Sequence, residues 1–197
     1  MVIPQPFTTA SPRLINYDYT DELSGNSYIT FYPTVANVTA GNIYYLSRRA
    51  LDGYSSAVGA VGAVTQEYDF DSLFDVSAIV KGDALLNFTV LVGVGSTMVP
   101  TINIYHVAPD TTETLLGTAS TATRTPGVYV RENIKIALTE KNFAVGDTLR
   151  ITLSLVHTGG NTSVVYCDPT SPLSYVDAAG RTVGSDFIAD IPFKNTN

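Results

Sequence analysis

One cysteine (Cys167), two histidines (His106 and His157), two methionines and no tryptophan stand among 197 residues. A lone cysteine excludes an intrachain disulfide, so the fold rests on its core and on whatever it binds. Cations are scarce as well. Eleven Lys and Arg oppose eighteen Asp and Glu, a net charge of −7, and the first 25 residues hold one cation, Arg13, beside Asp18, Asp21 and Glu22. Nucleic-acid binding by phosphate neutralisation needs a basic patch or arm, so no nucleic-acid partner is expected. No run approaches the roughly 18 apolar residues of a membrane-spanning helix. The first residues, MVIPQPFTTASPRL, lack the charged start and apolar stretch of a signal peptide. Cytoplasmic synthesis and no membrane partner are the expectation. Only 15% of residues are charged, yet 45% are hydrophobic, which is too apolar for a disordered chain.

What is abundant forms strands. Val, Thr, Ile and Tyr number 21, 25, 12 and 12, whereas Lys and Glu together number nine, a balance that favours β-structure over helix. Apolar residues alternate at period two along EYDFD (67–71), ALLNFTVLVGV (84–94), TINIYHV (101–107), VYVRENIKIAL (128–138) and TLRITLSLVH (148–157), and SYITFYP (27–33), NIYYLS (42–47), TTETLLG (111–117) and TSVVYC (162–167) are further strand candidates by composition. Turn signals separate them: Gly41-Asn42, Pro109-Asp110, Gly146-Asp147 and Gly159-Gly160-Asn161. The spacing predicts an all-β, eight- to nine-stranded antiparallel β-sandwich of jelly-roll type in one domain. The glycine-rich run Gly53–Val64 reads as a surface loop, and Thr139–Phe143 as one turn of helix. Three segments are expected: an extended N-terminal arm over 1–25, interrupted by Pro4, Pro6 and Pro12, a sandwich over 26–170, and a tail over 171–197 with a last strand at Asp186–Ile188. The arm carries Val2, Ile3, Phe7, Tyr17 and Tyr19, too many large apolar groups to leave in water, and these are the candidate partner-interface residues.

Catalytic groups are few. His106 and His157 both fall on inward parity at strand ends, where they cap the core, and Cys167 reads as a small semi-buried thiol rather than a nucleophile. Hydrolase elbows, zinc-binding helices and phosphate-binding loops are absent from the sequence. No catalytic residue and no cofactor is therefore assigned, and the protein is expected not to be an enzyme. One constellation has ion chemistry: Glu67, Asp69 and Asp71 lie on one strand face and are weak candidates for a hard cation such as Ca²⁺. Side chains two apart on a strand are about 7 Å apart, however, so one strand offers a single close ligand and a solvated acidic face is the simpler reading.

The run from Leu85 to Pro169, with LLNFTVLVGV, TINIYHVAPD, ETLLGTAST and FAVGDTLRITLSLVHTGGNTSVVYCDP, resembles β-sandwich structural proteins of tailed bacteriophages. The turn from Phe143 to Arg150, an aromatic followed by Gly-Asp and Leu-Arg, carries that likeness most clearly. It implies a virion component, a head decoration or cement protein that binds the outer capsid surface, with the major capsid protein or other virion subunits as partners and a homotrimeric state. An acidic exterior and an apolar arm agree with that role. Two other readings stay open: a carbohydrate- or receptor-binding module using Tyr44, Tyr45, Tyr54, Tyr105 and Tyr129 as platforms, and a single jelly-roll capsid protein.

Overall fold

In a computed structural model the described residues are 26–38, 41–49, 57–127, 129–167, 175–176, 182–183 and 186–194. Alternation at period two becomes strands throughout. In chain order they are β1 (Asn26–Val38), β2 (Gly41–Ser47), β3 (Ala57–Ala60), β4 (Val64–Leu73), β5 (Ala78–Leu91), β6 (Thr97–Val107), β7 (Glu113–Ser120), β8 (Tyr129–Phe143), β9 (Thr148–Thr158), β10 (Ser163–Tyr166), β11 (Tyr175–Val176), β12 (Thr182–Val183) and β13 (Ile188–Lys194). There is no helix among the described residues.

The fold is an all-β sandwich. One layer holds β8, β5, β13, β10 and β3; the other holds β2, β4, β9, β6 and β7. β1 serves both, because Asn26–Phe31 pairs with β13 and Tyr32–Val38 pairs with β2. Pro33, which has no N–H to donate, falls just past this changeover. The pairs are antiparallel except for β2 and β4, which touch in parallel at Tyr45 and Asp71. β11 and β12 form a separate ribbon, so eleven strands make the main sheet rather than eight or nine.

Aromatic rings knit the layers together. The Phe187 ring lies 5.1 Å from Phe88 in one layer and 6.2 Å from Phe70 in the other. Phe74 sits 4.8 Å from Phe143 and 5.8 Å from Phe193. Gly117 on β7 approaches β8 so closely that a Cβ there would fall 2.8 Å from the carbonyl oxygen of Ala137, which draws the two layers together along that edge.

Three sequence expectations change. The glycine-rich run is not all loop, since Ala57–Ala60 forms edge strand β3 on β10, and Gly59 permits it because a Cβ would lie 2.6 Å from the Ser163 carbonyl oxygen. Thr139–Phe143 is strand, not helix. Leu138 and Phe143 are both buried although five residues apart, and a bulge between Val80 and Gly82 absorbs the change of parity. The last strand is no tail element, because β13 lies between β1 and β5 with Ala189, Ile191 and Phe193 buried. The sandwich therefore extends past residue 170. Residues 1–25, including Val2, Ile3, Phe7, Tyr17 and Tyr19, lie outside the described residues.

Candidate functional site

The acidic strand β4 carries the residues whose pattern suggested ion chemistry. Glu67, Asp69 and Asp71 project from the outer face of β4, opposite Ser154, Thr152 and Arg150 of β9. Arg150 takes the position a cation would need. Its Nε and Nη2 each donate to Asp71 at 2.8 Å, while Nη1 donates to Glu113 at 2.5 Å and stands 3.6 Å from Asp69. Hydrogen bonding to Asp71 fixes the guanidinium still more firmly in its charged form. The Thr152 hydroxyl donates to Asp69 at 2.6 Å. Two of the three candidate ligands are thus engaged by β9, and no group of three or more metal-binding side chains occurs among the described residues. Tyr105 lies one strand beyond Arg150. Its hydroxyl is held above the usual tyrosine value by partial burial first and by Glu113, Glu67 and Asp69 after it.

The other proposed tyrosine platforms do not gather. Tyr44 turns inward, 5.3 Å from Tyr68 and 5.7 Å from Phe70. Tyr129, on β8 in the layer that does not hold β2, is 6.1 Å from Tyr166 of that same layer, and Tyr54 lies outside the described residues. Only Tyr45 and Tyr105 share the outer face, with Asp71 and Arg150 between them in one register row.

The two histidines sit at opposite ends of the sandwich, eight residues apart in register along β6, or about 27 Å. His157 donates from Nδ1 to the Gly62 carbonyl at 2.6 Å and meets the Ser163 hydroxyl at 2.9 Å through Nε2. This is a serine–histidine pair, but Ser163 also accepts the Gly93 N–H at 3.1 Å, and both side chains are buried, 0% and 1% exposed. A nucleophile needs access to substrate, so the pair acts as a clamp on three turns. At the far end His106 Nε2 donates to Asp147 at 2.8 Å, and Asp147 accepts the Ala144 N–H at 2.7 Å. The His106 hydrogen bond, then that of Ala144, holds the Asp147 carboxyl below the usual carboxylate range. Cys167 is buried.

Asp147 belongs to an end of the sandwich whose exposed aliphatic residues have no counterpart in the sequence pattern. The β4–β5 turn and the β8–β9 turn are tied together by Phe74 N–H to the Asp147 carbonyl, 2.8 Å, and Gly146 N–H to the Phe74 carbonyl, 2.9 Å. Leu73 at the end of β4, and Val76 and Val145 on these two turns, project into solvent, 68%, 63% and 64% exposed. Beside them is a shallow groove of about 350 Å³ lined by Ser77, Ala78, Ile79, Asn142, Phe143 and Ala144. The available signal was weak: apolar residues at turn positions, where polar ones are usual.

No protein-family model and no curated protein matches the chain. Solved structures do. A CocE/NonD family hydrolase from Staphylococcus aureus aligns over 87% of this chain with a TM-score of 0.59 and 14% identity. An aminopeptidase from a marine-sediment Thaumarchaeota archaeon aligns over 86% with a TM-score of 0.55 and 9% identity. An α-amino acid ester hydrolase aligns over 85% with a TM-score of 0.56 and 8% identity. The likeness establishes a shared fold, and the chain spans only 36–37% of the length of these proteins. It also corrects the expectation that the protein is no enzyme, since hydrolase chains contain the same sandwich. Few titratable groups in one sandwich do not separate it from that class.

Proposed function

We propose that the chain is an assembly subunit: a β-sandwich that self-associates as a homotrimer and seats on the outer shell of a virion as a head decoration protein. The observation that carries this reading is the apolar end formed by Leu73, Val76 and Val145 beside the Ser77–Ala144 groove. A contiguous exposed apolar patch marks an interaction site, and these three aliphatic side chains project from neighbouring positions that backbone hydrogen bonds tie together. The resemblance of Leu85–Pro169 to phage structural sandwiches supplies the kind of particle, and the net charge of −7 suits a face turned away from packaged nucleic acid. Sedimentation equilibrium at micromolar concentration tests the self-association, and co-sedimentation with emptied shells of the particle tests the seating. A trimer weakened by Val145→Asp is expected. A monomer that stays in the supernatant overturns the proposal.

The fold likeness favours a second reading, in which the sandwich is one portion of a hydrolytic protein. Turnover of a chromogenic amino-acid ester by the purified chain would support it over the first.

A further inference from the structure

We propose that the outer face of the layer formed by β2, β4, β9, β6 and β7 binds a neutral oligosaccharide, with Tyr45 and Tyr105 as platforms for sugar rings and the Asp71–Arg150 pair between them for sugar hydroxyls. The proposal does not depend on the assembly reading above.

Strand register builds the site. One row across the layer runs Tyr45, Asp71, Arg150, Tyr105 and Leu115, one residue from each of five strands. Each points outward, since its strand neighbours Leu46, Phe70, Ile151, Ile104 and Leu116 are buried. Three strand spacings, about 14 Å, separate the two tyrosines. Leu115, 48% exposed, widens the apolar surface beside Tyr105. The row therefore has ring surface at both ends and hydrogen-bonding groups in the middle. A sugar is amphipathic in the same way: the C–H face of its ring packs on aromatic carbon, and the hydroxyls at its rim need fixed polar partners.

Charge selects the class of ligand. Glu67, Asp69, Asp71 and Glu113 share this surface with a single cation, Arg150, so a phosphate, sulfate or other anionic ligand meets repulsion. A cationic ligand is served no better, because Arg150 already stands where Asp69, Asp71 and Glu113 converge. Each carboxylate can accept several hydrogen bonds, and the side chains of Asp69, Asp71 and Glu113 stay 47%, 37% and 43% exposed. A neutral polyol brings O–H donors to those acceptors without bringing a charge.

Little has to move on binding. The Thr152 hydroxyl donates to Asp69 at 2.6 Å, that of Thr118 donates to Asn103 at 2.6 Å, and the Thr101 and Ser120 hydroxyls lie 2.8 Å apart. The rows next to the tyrosines are thus already fixed, which lowers the ordering cost of a ligand.

Calorimetric titration of the full chain with neutral hexasaccharides of glucose, mannose, xylose and N-acetylglucosamine tests the inference, with a heparin hexasaccharide as the anionic comparison. At least one neutral sugar is expected to bind, and Tyr45→Ala and Tyr105→Ala are each expected to weaken it about tenfold. Tyr105→Phe keeps the ring and should stay within about threefold of wild type. In the wild-type chain the amide resonances of Tyr45, Asp71, Arg150 and Tyr105 should shift with the same sugar while those of Ala78 and Phe143 stay in place, which locates the site without a variant that has to fold. Absence of binding by every neutral sugar at millimolar concentration, tighter binding of the heparin fragment, or shifts confined to other strands overturns the proposal. Val145→Asp should leave sugar binding unchanged, so failure of the assembly reading is read separately.

Discussion

Replacing Phe187 by Ala is the sharpest probe of where the core ends. The side chain is fully buried, its ring faces Phe88 at 5.1 Å and Phe70 at 6.2 Å, and so it touches both layers at once. Truncating a buried phenylalanine costs about 3–5 kcal/mol through lost transfer energy and the cavity left behind. The aromatic pairs are worth about 0.5–1.5 kcal/mol beyond buried area, which places the expected loss near 4 kcal/mol. For a chain of this length each kcal/mol moves Tm by about 2–4 °C, so a fall of about 12 °C is expected in calorimetry. With a urea slope of about 2 kcal/mol/M the midpoint should drop by about 2 M. Native stabilities of about 5–15 kcal/mol leave such a variant marginal but measurable. Phe187→Leu keeps most of the volume and should cost less than about 1.5 kcal/mol. If Phe187→Ala costs under about 1 kcal/mol, Phe187–Lys194 is an appendage and the placement of β13 between β1 and β5 is wrong.

Two further outcomes follow from buried polar pairs. Glu132, 7% exposed at its side chain, is held by the Nε and Nη2 of Arg124, the latter at 2.7 Å; Arg124→Met leaves that carboxylate alone and should cost about 3 kcal/mol, with Arg124→Met/Glu132→Leu recovering part of it in urea titrations. Equal losses in the single and double variants would show that the pair is uncoupled. Asp147 has a depressed carboxyl pKa in the fold, so its contribution is present above the unfolded value of about 3.9 and is lost as pH falls through the folded one. Urea midpoints between pH 6 and pH 3 should therefore fall less steeply for Asp147→Asn than for the wild type, and parallel curves would refute the assignment.

Strand grammar was the legible part of the sequence. Runs such as Leu149–Leu155 announce a buried face because every second residue is aliphatic, and in β9 those four side chains are buried. What failed to show were elements whose reason is non-local. Ala57–Ala60 has too little apolar side chain to look like a strand, and it becomes one because β10 offers an edge and the Tyr68 hydroxyl bonds both the N–H and the carbonyl of Gly59. β13 carries Pro192 within seven residues, which argues against a central strand on sequence alone, yet the register break between Asp190 and Phe193 accommodates it. The acidic stripe was visible as a pattern of charge. Its partner was not, because Arg150 is 79 residues from Asp71 and only the β4–β9 register brings them together.

The polar chemistry of this sandwich is concentrated where strands end. With one cysteine and no disulfide, turns that would otherwise open need other fastening. His157, Ser163, Gly62 and Gly93 join three turns at one end, while His106, Asp147 and Ala144 secure the β8–β9 turn at the other. Each clamp uses a buried side chain, so its hydrogen bonds do not compete with water. The consequence reaches the surface. Val145 lies between Ala144, whose N–H bonds the Asp147 carboxylate, and Gly146, whose N–H bonds the Phe74 carbonyl. An exposed valine on a turn fixed from both sides is already ordered, so under the assembly reading proposed above docking there would order the partner more than the sandwich. The histidines that look like spare catalytic groups are thus structural fasteners, and His106 helps set the shape of the turn that carries Val145.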